Sequence, residues 1–185
     1  MIDLIILSLW FMLPAYIANP AAALFGGGKP VDLGKKFRDD RRILGDGKTY
    51  RGFIMGSMIG ASVGALQLVI APHIAPCFAE YVDPEAFTSI SYLALITLPV
   101  GALIGDMAKS FIKRRMGYER GQMLPLADQL DFVIGAWILT YIVDPSWMLA
   151  NFTIGIIITV LLITPILHLS TNIIGFKIGA KKEPW

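Results

Sequence analysis

All sixteen lysine and arginine residues of this 185-residue chain fall into three clusters, and long uncharged runs separate them. Positions 52–71 are 20 uncharged residues in succession and positions 87–105 another 19. As helices rising 1.5 Å per residue, both suffice to cross a hydrocarbon core of about 30 Å. From Phe132 to Phe176 the only charge is Asp144, and the pair Asp144-Pro145 is a turn signal that divides this stretch into two spans. The first of these is short unless its helix begins near Asp128. The run from Leu4 to Phe25, interrupted by Pro14 and closed by Asn19-Pro20, is a fifth span. No basic residue precedes Lys29, so this run lacks the positive n-region of a secretory signal. With 55% hydrophobic residues and a mean hydropathy of +0.63, the expectation is a single-domain, all-α integral membrane protein. Its five transmembrane helices are expected over about residues 2–25, 52–71, 87–105, 128–143 and 147–172.

The basic clusters set the orientation. Eight lie between the first two runs, from Lys29 to Arg51, five lie between Lys109 and Arg120, and Lys177, Lys181 and Lys182 close the chain. The other loops hold only His73, Glu80, Asp83, Glu85 and Asp144. By the positive-inside rule the N-terminus is outside, and the two long basic loops and the C-terminal tail are cytoplasmic. Five spans satisfy that parity. Cys77 has no intrachain partner, so disulfides play no part.

The stretch GDGKTYRG, Gly45 to Gly52, looks like the second half of a Walker A loop, but the glycine that opens such a loop would stand at position 42, which is Arg42. No strand pattern precedes it, and nucleotide hydrolysis is set aside. FGGGKP (Phe25 to Pro30) reads as a flexible exit from the first span, and KKFRDDRR (Lys35 to Arg42) as a solvated, salt-bridged helix face. In the second span Gly52, Gly56, Gly60 and Gly64 recur every fourth residue, a ridge that suits close packing in lipid, either within the chain or in a homodimer.

Three carboxylates lie at the membrane boundary. Asp106 ends the third apolar run, where a helix C-terminus needs a balancing cation, and Asp128 and Asp131 share a face at the start of the fourth span. Because one loop joins these two helices, the three can meet, and carboxylate oxygens with room for water and phosphate suit Mg²⁺. Taken singly, Asp128 also reads as an N-cap and Asp106 as half of an ion pair with Lys109 or Lys113. Ser110, Lys113, Arg114 and Arg115 continue the helix beyond Asp106, a cationic wall that suits a metal-bound polyphosphate or lipid headgroups.

GDGKTYRG, GD-x3-S-x2-KRR-x-G, LPL-x-DQLDF and the tail TP-x2-H-x3-N…PW together resemble the archaeal CDP-archaeol synthases over nearly the whole chain, from Asn19-Pro20 to Pro184-Trp185. The pattern of Ser110, Lys113, Arg114, Asp128 and Asp131 is similar, more loosely, to CDP-diacylglycerol synthases, although Gln129 stands where those have arginine. The resemblance implies a cytidylyltransferase in the cell membrane, with CTP and an isoprenoid glycerol-phosphate lipid (unsaturated archaetidic acid) as substrates, CDP-archaeol and pyrophosphate as products, and no nucleic-acid partner. It implies Mg²⁺ on Asp106, Asp128 and Asp131, with Lys113 and Arg114 also catalytic. Substrate contacts are expected from Asn19, Asp46, Gly47, Lys48, Thr49, Arg51, Ser110 and Arg115, and from His168 and Asn172 on the last span. The chemistry agrees: a phosphate monoester is largely ionised at neutral pH, with a second pKa near ~6, so two anions must be brought together by positive charge rather than by a general base. A small anion transporter or channel with phosphate-collecting loops is the competing reading. It is disfavoured because the middle of every span lacks charge.

Overall fold

The computed structural model describes residues 1–119, 122–124 and 126–177; Arg120, Lys181, Lys182 and the terminal Pro184-Trp185 lie outside the described residues. The chain is all-helical: α1 (Ile2–Phe25), α2 (Tyr50–Ile74) prolonged by a 3-10 turn (Ala75–Phe78), α3 (Pro84–Thr88), α4 (Ala94–Arg115), α5 (Ala127–Val143), α6 (Pro145–Asn151) and α7 (Ile154–Lys177). Among the described residues, extended pairing is limited to two isolated bridges, Pro30 with Thr49 and Lys36 with Arg42. Among the described residues, four helical segments are long and apolar enough to cross a membrane: Ile2–Phe25, Tyr50–Phe78, Ala94–Arg115 and Ile154–Lys177. α5, with 17 residues, is shorter than these, about 25 Å along its axis.

Two helices depart from the apolar runs. α4 begins at Ala94 rather than near residue 87, because the chain before it is spent on polar contacts. Ser91 Oγ bonds the Asp144 carboxylate and accepts from the Leu93 N–H, while the Trp147 indole donates to the Ser89 carbonyl. At its other end α4 runs on to Arg115, so Asp106 lies well inside a helix and its charge is balanced by neighbouring cations rather than opposed by a helix terminus. The last apolar stretch is split into α6 and α7, with Asp144 capping α6 through Trp147 N–H at 3.1 Å. The KKFRDDRR segment is a tight turn, not a helix. Phe37 N–H bonds the Arg41 carbonyl at 2.8 Å, Asp40 takes a positive φ of 64°, and Phe37 docks edge-on against Phe111 of α4.

The glycine ridge of α2 is used within the chain. A Cβ at Gly56 would lie 2.7 Å from the Ala18 carbonyl oxygen, and one at Gly60 would lie 2.5 Å from Pro99 and 2.8 Å from the Pro14 carbonyl oxygen. α1 and α4 thus occupy the ridge, leaving Ile54, Met58, Leu66 and Val69 of α2 on the exposed side. Of the two prolines inside α1, Pro14 and Pro20, the first is accommodated in the same layer. Pro14 has no N–H to offer the Trp10 carbonyl four residues back, and the buried Gln67 of α2 donates to that carbonyl at 2.7 Å.

Candidate active site

The site is built where α4 crosses α5, and three glycines set the distance. A Cβ on Gly105 would stand 2.3 Å from the Asp131 carbonyl oxygen, and one on Gly135 would stand 2.4 Å from that of Gly101. Only backbones without side chains approach so closely. Asp106, the next residue along α4, is thereby brought beside Asp128 and Asp131, which lie one turn apart at the start of α5.

The three carboxylates converge on one ammonium. Lys109 Nζ lies 3.1 Å from Asp106 Oδ1, 3.2 Å from Asp128 Oδ1 and 3.0 Å from Asp131 Oδ2. Two further lysines flank it. Lys113 Nζ is 2.9 Å from both oxygens of Asp128 and also donates to the Gln122 carbonyl, while Lys48, arriving from the first basic loop, pairs with Asp106 Oδ2. Asp131 has the least exposed side chain of the three carboxylates, at 7%. Asp128 also accepts from the Leu124 N–H and so closes the turn before α5; it sits in the first turn, and Leu126 holds the cap position.

The first basic loop reaches this cluster because Asp32 organises it. Its buried carboxylate accepts from the N–H groups of Gly34, Leu44 and Gly45 at 2.9–3.1 Å and from the Arg42 guanidinium at 2.7 Å. Burial opposes ionisation of Asp32, but Arg42 and the Gly45, Leu44 and Gly34 amides outweigh it and hold the carboxyl well below the usual range. The two basic loops are also clasped together. Arg41 Nη1 donates to the carbonyls of Arg114 and Arg115 at the end of α4, and Arg115 Nη2 returns a bond to the Arg42 carbonyl at 2.6 Å.

A cavity of about 960 Å³ opens over the cluster. Its polar end holds Lys48, Asp106, Lys109, Lys113, Asp128 and Asp131; its apolar walls come from α1, α2 and α7, including Leu13, Ile17 and Leu167. At its side Leu9, Leu24, Leu169 and Ile174 line the cavity and are exposed on the molecular surface, so an apolar chain has a lateral path into it. Asn19 faces the cavity with its Oδ1 buried and without a hydrogen-bond partner among the described residues. His168 and Asn172 line the wall together, with Asn172 Nδ2 3.2 Å from His168 Nδ1.

Several residues expected at the site have other partners or stand outside the cavity. Thr49 lines the cavity, yet its hydroxyl accepts from the Gly52 N–H at 3.0 Å and serves as the N-cap of α2. Gly47 lines the cavity, but Asp46 pairs with Arg42 at 2.8 Å and Arg51 is exposed outside it. Ser110 donates back to the Asp106 carbonyl within α4. Arg114 and Arg115 lie off the cavity; the Arg115 guanidinium packs over the rings of Phe37 and Phe111 and pairs with Asp39 at 2.9 Å. The reason is helical geometry: Asp106, Lys109 and Lys113 form one face of α4, and the next two residues turn away from it.

Among the described residues no group of three or more His, Cys, Asp or Glu side chains is arranged so that it could hold a metal ion as it stands. The oxygens of Asp106, Asp128 and Asp131 are held apart by the ammonium, whose contacts of 3.0–3.2 Å exceed the ~2.1 Å of a Mg²⁺–oxygen bond. The donor chemistry is of the kind a hard cation takes: three carboxylates that already point at one positive charge.

A family model described as CarS-like, CDP-archaeol synthase, matches residues 1–185. The chain belongs to the CDP-archaeol synthase family. CDP-archaeol synthase from Methanocella arvoryzae is 62% identical over 174 residues, covering 94% of this chain and 100% of that protein. The namesake from Methanosarcina barkeri is 53% identical with the same coverages. A solved structure described as an intramembrane enzyme for archaeal membrane lipids biosynthesis is similar at a TM-score of 0.69 and 35% identity, over 89% of this chain and 92% of that one.

In this member of the CDP-archaeol synthase family, sequence reasoning missed Lys109 as a site residue, along with Asp32 and the glycine crossing. Lys109 was legible, since it lies three residues from Asp106 on the same helix face. The spacing Gly101-x3-Gly105 also carried the signal of a close crossing. Asp32 carried no local signal, because its partners are ten or more residues away apart from Gly34.

Proposed function

We propose that this chain transfers the cytidylyl group of CTP to unsaturated archaetidic acid, releasing pyrophosphate and leaving CDP-archaeol in the membrane. The observation that carries the reading is one cavity with three carboxylates and three lysines at one end and a laterally open apolar wall at the other. A lipid phosphate reaches the charged end while its isoprenoid chains stay among α1 and α7. An oxygen of the lipid phosphate forms a bond to the α-phosphorus of CTP, and the bond to the α–β bridging oxygen breaks, its electron pair leaving with pyrophosphate. Lys48, Lys109 and Lys113 offset the charge of the two anions and of the leaving pyrophosphate. Asp128 orients Lys113 by gripping its ammonium with both oxygens. Asn19, with its enclosed unpaired acceptor, faces substrate donors.

Asp106, Asp128 and Asp131 are the residues that would hold Mg²⁺, which when bound supplies Lewis-acid polarisation of a phosphoryl oxygen. In the membrane, α5 is the fourth of five spans, α3 and α6 lie at the outer surface, and the N-terminus is outside. The Lys and Arg density of both basic loops supports a cytoplasmic position for them and for the Asp106 cluster, on the side where CTP is available.

The deciding experiment supplies purified protein in lipid with labelled CTP and Mg²⁺. Pyrophosphate release that requires a phosphorylated isoprenoid lipid, with label appearing in the lipid phase, is the expected result. Lipid-independent NTP hydrolysis, or flux of phosphate across vesicles without CDP-lipid formation, would overturn the reading.

A further inference from the structure

We propose that Lys109 is a resident cation that holds the three carboxylates together when no metal is bound, and that a divalent cation enters the site only by displacing it. The inference rests on the metal site proposed above and concerns a residue that site does not include. One ammonium lies within 3.2 Å of oxygens from Asp106, Asp128 and Asp131, which come from two helices. Without it three anions would crowd a crossing packed as tightly as Gly105 against Asp131. Lys113 is already gripped by both oxygens of Asp128, and Lys48 by Asp106 Oδ2, so neither is free to replace it.

The geometry makes ammonium and metal exclusive. Mg²⁺ draws its oxygens to ~2.1 Å and needs the space between the carboxylates that Nζ now fills. A divalent cation added beside Lys109, with Lys48 and Lys113 already on the same carboxylates, would bring more positive charge than the three anions balance. The displaced ammonium has a four-carbon stem, and the cavity into which it swings is where a polyphosphate would lie. Metal alone therefore binds weakly, and nucleotide, by giving Lys109 an anionic partner, strengthens metal binding. By linkage the metal strengthens nucleotide binding by the same factor.

The test titrates Mn²⁺, followed by its electron paramagnetic resonance signal, into detergent-purified protein without nucleotide. Lys109→Met is expected to bind Mn²⁺ about tenfold more tightly than the unsubstituted protein, in the range of ordinary coupling factors. Lys109→Gln, which keeps a polar head without the charge, should do the same. Because removal of the ammonium leaves the carboxylates unbalanced, Mn²⁺ should also raise the unfolding temperature of Lys109→Met more than that of the unsubstituted protein. Equal or weaker Mn²⁺ binding by both variants, while Asp131→Asn still weakens it, would overturn the proposal and leave the metal site standing. Mn²⁺ binding that is indifferent to Asp131→Asn in either background would overturn both.

Discussion

Gly105 of α4 lies so close beneath Asp131 of α5 that a Cβ built on it would stand 2.3 Å from the Asp131 carbonyl oxygen. The contact is backbone to backbone, so no flexible side chain can yield. Gly105→Ala must push the helices apart, with an overpacking cost of about 1–3 kcal/mol. It also separates Asp106 from Asp131. Thermal unfolding should show the loss of stability, and CTP transfer should fall by roughly a hundredfold, as displacements of about an ångström do at reacting centres. Normal transfer by a folded Gly105→Ala would show that the crossing does not set the site.

Asparagine substitutions separate charge from shape at the cluster. Asp106→Asn, Asp128→Asn and Asp131→Asn each keep the side-chain size and remove the charge that a hard cation needs. Each is expected to lower CTP transfer by roughly a hundredfold or more. Near-normal rates at standard Mg²⁺ in all three would remove the carboxylates from the mechanism.

Arg115 acts through the clasp between the basic loops, since its guanidinium is held by Phe37, Phe111, Asp39 and the Arg42 carbonyl. Arg115→Ala should release hydrogen-exchange protection in residues 35–42 and reduce transfer by less than tenfold, far less than the carboxylate variants. A loss as large as theirs, with loop protection intact, would mean that Arg115 meets substrate.

Asp32 predicts an acid limit for the first loop. Its folded pKa is depressed from an unfolded value of about 3.9, so its contribution is complete above that value and is lost as pH falls through the folded one. Limited proteolysis within residues 31–45 should be constant from neutrality to about pH 5 and increase only below about pH 4. Asp32→Asn should make the loop sensitive at all pH values. Identical profiles for both proteins would remove Asp32 from that role.

Orientation is open to labelling. In a Cys77→Ser background, Asp83→Cys should react with a membrane-impermeant thiol reagent added outside intact cells, and Lys36→Cys should not. Reaction at position 36 would place the basic loops outside and deny the cluster its supply of CTP.

The sequence by itself determined the helical membrane class and the family. Uncharged runs can satisfy their backbone groups in lipid only as helices, and the motifs of GDGKTYRG, Asp106 to Gly117 and Asp128 to Phe132 are local strings that need no fold to be read. It also placed Asp106, Asp128, Asp131, Lys48, Lys113, His168 and Asn172 among candidates that the fold does bring to one cavity. Tertiary structure alone decided which cations stand with them. Arg114 and Arg115 follow Lys113 directly and are as basic, but the 100° step of a helix turns them off the cavity, Arg115 toward the other loop. Lys109 takes their place because a third element, the start of α5, packs against its face of α4. Spacing along one helix shows which side chains share a face; what that face meets depends on a crossing whose distance is set by Gly101, Gly105 and Gly135 on two different helices.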